Sequence, residues 1–223
     1  MKKISSLLIL ILISITSLSA QWQVGISGGY SLNSLDTDNS FAYGLKNSDR
    51  GGYNFAALCG YEFADWFTLK AELAYTQKNY ETHRTIAPLE TTYTEYTNGY
   101  LQIPLYASLS FGGKKVRGFI NLGFYGGYWA YGWVTGALTD VPLGGEANTF
   151  SHSYDFNSKA DNRLEAGALG GLGVLYNIDK HFALTAEARL QYSLTDIQKS
   201  YTEYLATKYY NTLLFNIGVL YKF

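Results

Sequence analysis

Eight segments of this chain carry apolar residues at every second position, and the gaps between them alternate between short and long. The segments are 22–33, 53–63, 67–78, 100–111, 119–133, 163–177, 182–195 and 212–223. In 100–111, Leu101, Ile103, Leu105, Ala107, Leu109 and Phe111 share one side, against Gln102, Pro104, Tyr106, Ser108 and Ser110. Successive side chains of a strand point to opposite faces, so the pattern is that of strands with one apolar face. A helix would bring apolar residues back at three and four positions, and here they do not recur so. Each segment meets the roughly 9–11 residues that a tilted strand needs to cross a bilayer.

The short gaps are 64–66, 112–117 and 178–181; the long ones are 34–52, 79–99, 135–162 and 196–211. Tight turns on one rim and long loops on the other are the pattern of outer-membrane barrels. The expected fold is therefore all-β: an eight-stranded antiparallel up-and-down transmembrane β-barrel. An even strand number puts both ends of the mature chain at the periplasmic rim and the long loops outside. Trp22 and Trp66 then fall at the inner rim and many tyrosines at the outer one, where aromatic girdles belong.

Composition agrees. Charged residues are 16% of the chain, aromatic ones 17%, and the mean hydropathy is −0.08. Strands that alternate apolar and polar residues keep the average hydropathy moderate. The 17 basic and 18 acidic residues nearly cancel, so no basic surface for nucleic acid is expected. Cys59 is the single cysteine, which excludes an intrachain disulfide. Lys2 and Lys3, the apolar run 4–15 and Leu18-Ser19-Ala20 read as a signal peptide, with cleavage before Gln21. The expected organisation is a leader over 1–20 and one barrel domain over 21–223, exported to the outer membrane.

Two resemblances follow. The stretch 216–223, with Asn216, Gly218, Tyr221 and the aromatic Phe223, resembles the C-terminal assembly signal of outer-membrane barrels. That resemblance implies recognition of the last strand by the barrel-assembly machinery. Tyr100-Leu101-Gln102-Ile103-Pro104-Leu105, the glycine-rich stretch 165–173, and Glu187-Ala188-Arg189 followed by 193–197 resemble the PorT-like outer-membrane β-barrel family. The chain departs from that family's pattern at Gln102 and Leu190. The resemblance implies fold and location across the mature chain, and some members of the family assist a secretion system.

The polar faces carry charges: Glu62, Lys70, Glu72, Glu165, Glu187 and Arg189. An eight-stranded barrel has an interior just wide enough for side chains to fill. Charges there must pair, because a desolvated lone charge is costly. These six are expected to form a lumen ion-pair network, the alternative being a gate or narrow ion path. Gly167, Gly171 and Gly173 leave room for bulky neighbours across the lumen.

No catalytic constellation, cofactor site or metal site is expected. His83 and His152 fall in outer loops and His181 in a periplasmic turn, with no ligand spacing among them. Asp36-Thr37-Asp38-Asn39-Ser40 starts like a calcium loop, but Phe41 and Asn47 stand where its glycine and closing glutamate belong. Ser151, His152 and Ser153 lie within a long loop. Aromatic residues in the loops, Tyr93, Tyr96, Phe150, Tyr154 and Phe156, either contact an extracellular protein or glycan or pack on one another. The expected function is a structural or binding barrel seated in outer-membrane lipid. The alternatives are a small pore and an assembly factor of a secretion system.

Overall fold

The computed structural model describes residues 21–37, 44–84, 92–139, 147–199 and 207–223. Residues 1–20, expected as a leader, and the stretch 38–43 of the calcium-like loop lie outside the described residues. Among the described residues ten strands form one antiparallel sheet: β1 (Gln21–Thr37), β2 (Leu45–Ala64), β3 (Phe67–Gln77), β4 (Tyr80–Arg84), β5 (Tyr93–Gly112), β6 (Val116–Thr139), β7 (Ala147–Ser153), β8 (Leu164–Asn177), β9 (Phe182–Ser193) and β10 (Lys208–Lys222). Eight of them make the wall in the ring order β1-β2-β3-β5-β6-β8-β9-β10. Pairing of β1 with β10, from Gln23↔Lys222 to Thr37↔Lys208, closes the ring. Closure leaves no unpaired edge within the wall, which is what a spanning sheet requires.

The eight expected strands are present with their expected faces. Ile26, Leu73, Ile103, Leu172 and Ile217 point outward, Ile217 with 74% of its surface exposed, while Gln102, Arg189 and Thr212 are buried inside. This inversion, apolar outside and polar inside, suits lipid around the wall rather than water.

The strands run well past the membrane. β6 has 24 residues, about 80 Å of extended chain at roughly 3.3 Å per residue. Residues 45–52, 93–99, 135–139 and 147–153, expected in loops, are strand and form a collar above the wall. Their backbones pair, but outside the bilayer neither face need be apolar, so the period fades where the ladder continues. β4 continues β3 beyond Lys78 and Asn79 and pairs with β2 and β5; β7 pairs with β6. At the break, side-chain amides replace ladder bonds. Asn79 Nδ2 donates to the Gly51 carbonyl at 2.8 Å, Asn79 Oδ1 accepts from the Asn98 amide at 3.1 Å, and Asn98 Nδ2 donates to the Lys78 carbonyl at 3.2 Å.

The inner rim has tight connections. Gly112 adopts a φ of 117°, a conformation open to glycine, and Gly113 N–H then donates to the Val116 carbonyl at 3.0 Å to turn β5 into β6. Trp22 and Trp66 are exposed at this rim, Trp22 set edge-on to Tyr61.

Candidate functional site

The lumen is filled in layers. Nearest the inner rim, Lys222 Nζ stands 3.9 Å from Glu62 Oε2. Above it Phe119, Leu175, Ala183 and Leu220 pack with Leu58 into an apolar plug.

The next layer holds charge. Arg189 on β9 donates from Nη1 to Glu72 Oε2 at 2.7 Å and from Nη2 to Glu72 Oε1 at 2.9 Å. The same guanidinium bonds Glu187 through Nε at 2.9 Å and Nη2 at 2.8 Å. The Tyr106 hydroxyl also donates to Glu72, and Asn121 Nδ2 donates to Glu187 at 2.8 Å. Lys70 is buried beside them with its ammonium 5.3 Å from the centre of the Phe119 ring.

A second charged layer lies outward. Lys78 Nζ stands 2.5 Å from Glu165 Oε1, both side chains buried. Glu165 also accepts from the Tyr125 hydroxyl at 3.0 Å and from Gln102 Nε2 at 3.3 Å. The rings of Tyr100, Tyr125 and Tyr210 surround the Lys78 ammonium at 5.0–5.5 Å. Such packing lets a desolvated cation meet ring faces as well as a carboxylate. Over it lies an outer plug of Leu35, Tyr80, Tyr100, Trp129, Ile197 and Tyr210.

The six charges expected as one network are thus distributed. Glu72, Glu187 and Arg189 meet directly, and Lys70 joins their layer with no carboxylate of the described residues within ion-pair distance. Glu165 belongs to a separate outer pair and Glu62 to the inner rim. Their partners Lys78 and Lys222 were not among the expected network, although both continue the inward-facing parity of their strands. The lumen glycines do make room: a Cβ on Gly167 would stand 2.5 Å from the Tyr125 ring, and one on Gly173 would stand 2.4 Å from Phe119.

The outer residues also need correction. His83 lies on β4, 3.4 Å from Ser48 Oγ, and His152 lies on β7; neither is in a loop. Ser151 and Ser153 share β7 with His152; Ser151 accepts from Trp133 Nε1 at 2.9 Å, and the His152 ring faces Phe150. Tyr154 and Phe156 fold inward onto Trp129, with ring centres 5.1 and 4.9 Å away. Arg163 locks that segment, its guanidinium 4.0 Å from the Phe156 ring centre and bonded to the Trp129 carbonyl at 3.0 Å. His181 does lie in the turn, stacked on Tyr221. Among the described residues no group of three or more His, Cys, Asp or Glu side chains could hold a metal ion.

A closed, lipid-facing ring of eight antiparallel strands around a polar interior defines a small transmembrane β-barrel. The chain belongs to the family described as the outer membrane protein beta-barrel domain, whose model matches residues 17–199. It is an outer-membrane β-barrel protein of the Gram-negative type. Comparison with curated proteins finds no match. Among solved structures the chain is similar to Neisserial surface protein A, at 15% identity and a TM-score of 0.49, over 92% of this chain and 99% of that one. It is also similar to OprG of Pseudomonas aeruginosa, at 15% identity and 0.49, over 90% and 95%. Ail, the attachment invasion locus protein of Yersinia pestis, matches at 15% identity and 0.42, over 90% and 98%.

Proposed function

We propose that this protein is a closed, non-conducting barrel that binds partners through its outer collar and carries out no catalysis. One observation carries the reading: the lumen is bridged wall to wall by Arg189 and Glu72, from strands four apart in the ring of eight. Apolar plugs above and below the charged layers support it. Two small voids within the charged region measure about 20 Å³ beside Lys70 and Glu187 and about 10 Å³ beside Glu62 and Lys222. The first has room for about one water molecule. With the interior filled, the surface left for recognition is the collar of strand ends and loops outside the cell.

The motif stretches 100–105, 165–173, 187–189 and 193–197 support reading the chain as a PorT-like member of the family. The last strand, with Asn216, Gly218, Tyr221 and Phe223, serves as the signal to the barrel-assembly machinery, and residues 1–20 as the export leader. A hydrolytic role finds little support at the outer rim, where the exposed His152 bonds the Ser153 carbonyl at 2.9 Å.

Liposome swelling tests the reading. Vesicles holding the refolded mature chain should swell in arabinose no faster than empty vesicles. Rapid swelling, with folded protein, would replace the closed barrel by the pore.

A further inference from the structure

The collar encloses a cup. Its volume is about 350 Å³, and Tyr80, Thr82, Arg84, Thr94, Tyr96 and Lys208 line it. That size lies at the low end of ligand pockets, roughly 300–1,000 Å³.

The site is built on β4, which sets Tyr80 against Tyr96 of β5, with ring centres 4.5 Å apart and planes within 12°. Tyr80 also belongs to the outer plug, so the cup's aromatic side rests on the packed lumen. Tyr96 is only partly buried. The polar side is a short chain of hydrogen bonds. Asn47 Nδ2 donates to Thr37 Oγ1 at 2.8 Å, and Thr82 Oγ1 donates to Asn47 Oδ1 at 3.0 Å. These groups and Thr94 supply donors and acceptors side by side.

Two cations complete the lining. Among the described residues, the Arg84 guanidinium and the Lys208 ammonium have no carboxylate within ion-pair distance. The carboxylate that acts on Lys208 from nearby, Asp196, is occupied by the backbone N–H groups of Gln198 at 2.8 Å and of Lys208 itself at 3.1 Å. Glu95 is paired with Arg50 at 2.9 Å, and Glu81 lies 3.8 Å from His83. The cup therefore combines ring surface, neutral hydrogen-bonding groups and positive charge.

We propose that this cup binds the acidic end of an oligosaccharide. Tyrosine rings take the apolar face of a sugar ring, hydroxyl and amide groups take its hydroxyls, and Arg84 with Lys208 takes a carboxylate, sulfate or phosphate. The proposal rests on the collar being the recognition surface, and so on the reading above.

The test is calorimetric titration of the mature chain in phospholipid nanodiscs. The probes are tetragalacturonate, a chondroitin sulfate disaccharide and glucose 1-phosphate, with methyl-esterified tetragalacturonate as the uncharged control. At least one acidic probe should bind, more weakly as salt rises. Where tetragalacturonate is that probe, its ester should bind about tenfold less tightly. Arg84→Gln and Lys208→Gln should each weaken the bound acid about tenfold without moving the thermal midpoint. Binding abolished by lipopolysaccharide in the disc would also support the site and place the natural sugar on the surrounding lipid. Retained binding would point to a sugar from outside the membrane. Failure of all three acids, or equal binding of tetragalacturonate and its ester, would overturn the proposal. Vesicles that stay sealed in the swelling assay would show that the closed barrel stands even so.

Discussion

Glu72 and Arg189 face each other across the barrel and join at two points, 2.7 and 2.9 Å apart. Their strands, β3 and β9, are separated by four steps around a ring of eight, the greatest separation the ring allows. The pair therefore occupies the middle of the bore. Tyr106, Glu187 and Asn121 satisfy much of what the two charges leave open.

Arg189→Ala should destabilise the barrel by roughly 3–5 kcal/mol, because it strands two carboxylates in a desolvated interior. The urea midpoint measured in lipid reads this. An unchanged midpoint would mean that the charges are hydrated and the lumen is open.

Lys78→Met should carry a similar penalty, about 3–5 kcal/mol, by leaving Glu165 without its cation. Adding Glu165→Gln removes the orphaned charge while Tyr125 and Gln102 remain nearby, and should restore much of the loss. A double variant no more stable than the single one would contradict the pairing.

Two glycine substitutions should separate cleanly. A Cβ on Gly167 would meet the Tyr192 carbonyl oxygen at 2.4 Å and the Tyr125 ring at 2.5 Å, so Gly167→Ala should cost roughly 1–3 kcal/mol. A Cβ on Gly126 would meet nothing within 4 Å, and Gly126→Ala should be neutral or slightly stabilising. Equal effects would show that the lumen can relax around Tyr125.

The barrel was legible because a spanning strand must present an apolar face to lipid, and that demand writes a period of two from Trp22 to Phe223. The same parity marks Lys78 and Lys222 as inward-facing. The collar was not legible. Above the bilayer Thr94 and Tyr96 face inward and Tyr93 outward without any apolar alternation, and the register shift opposite Gly99 and Tyr100, whose partners are Tyr131 and Trp129, reverses the parity along β6. The outer plug was hidden because its parts lie in stretches with no apolar repeat: Tyr80 meets Tyr210 from a segment expected as loop, and Phe156 reaches Trp129 from another.

Asp179 gives a pH-dependent signature at the inner rim. Its carboxylate accepts the N–H groups of Phe182 and His181, each at 2.7 Å, and these bonds hold it below the usual carboxylate range. A depressed folded pKa means that the turn's stabilisation is present above the unfolded value and lost as pH falls through the folded one. Carboxyl-carbon NMR should give Asp179 a lower titration midpoint than the same residue in a 176–184 peptide. Equal midpoints would contradict the turn geometry.

The most direct test of a side-chain-filled lumen is planar-bilayer conductance of refolded protein comprising residues 21–223. Protein shown to be folded should give no steady channels. Reproducible channels from the unsubstituted protein would contradict the closed barrel and make the lumen charges determinants of ion selectivity.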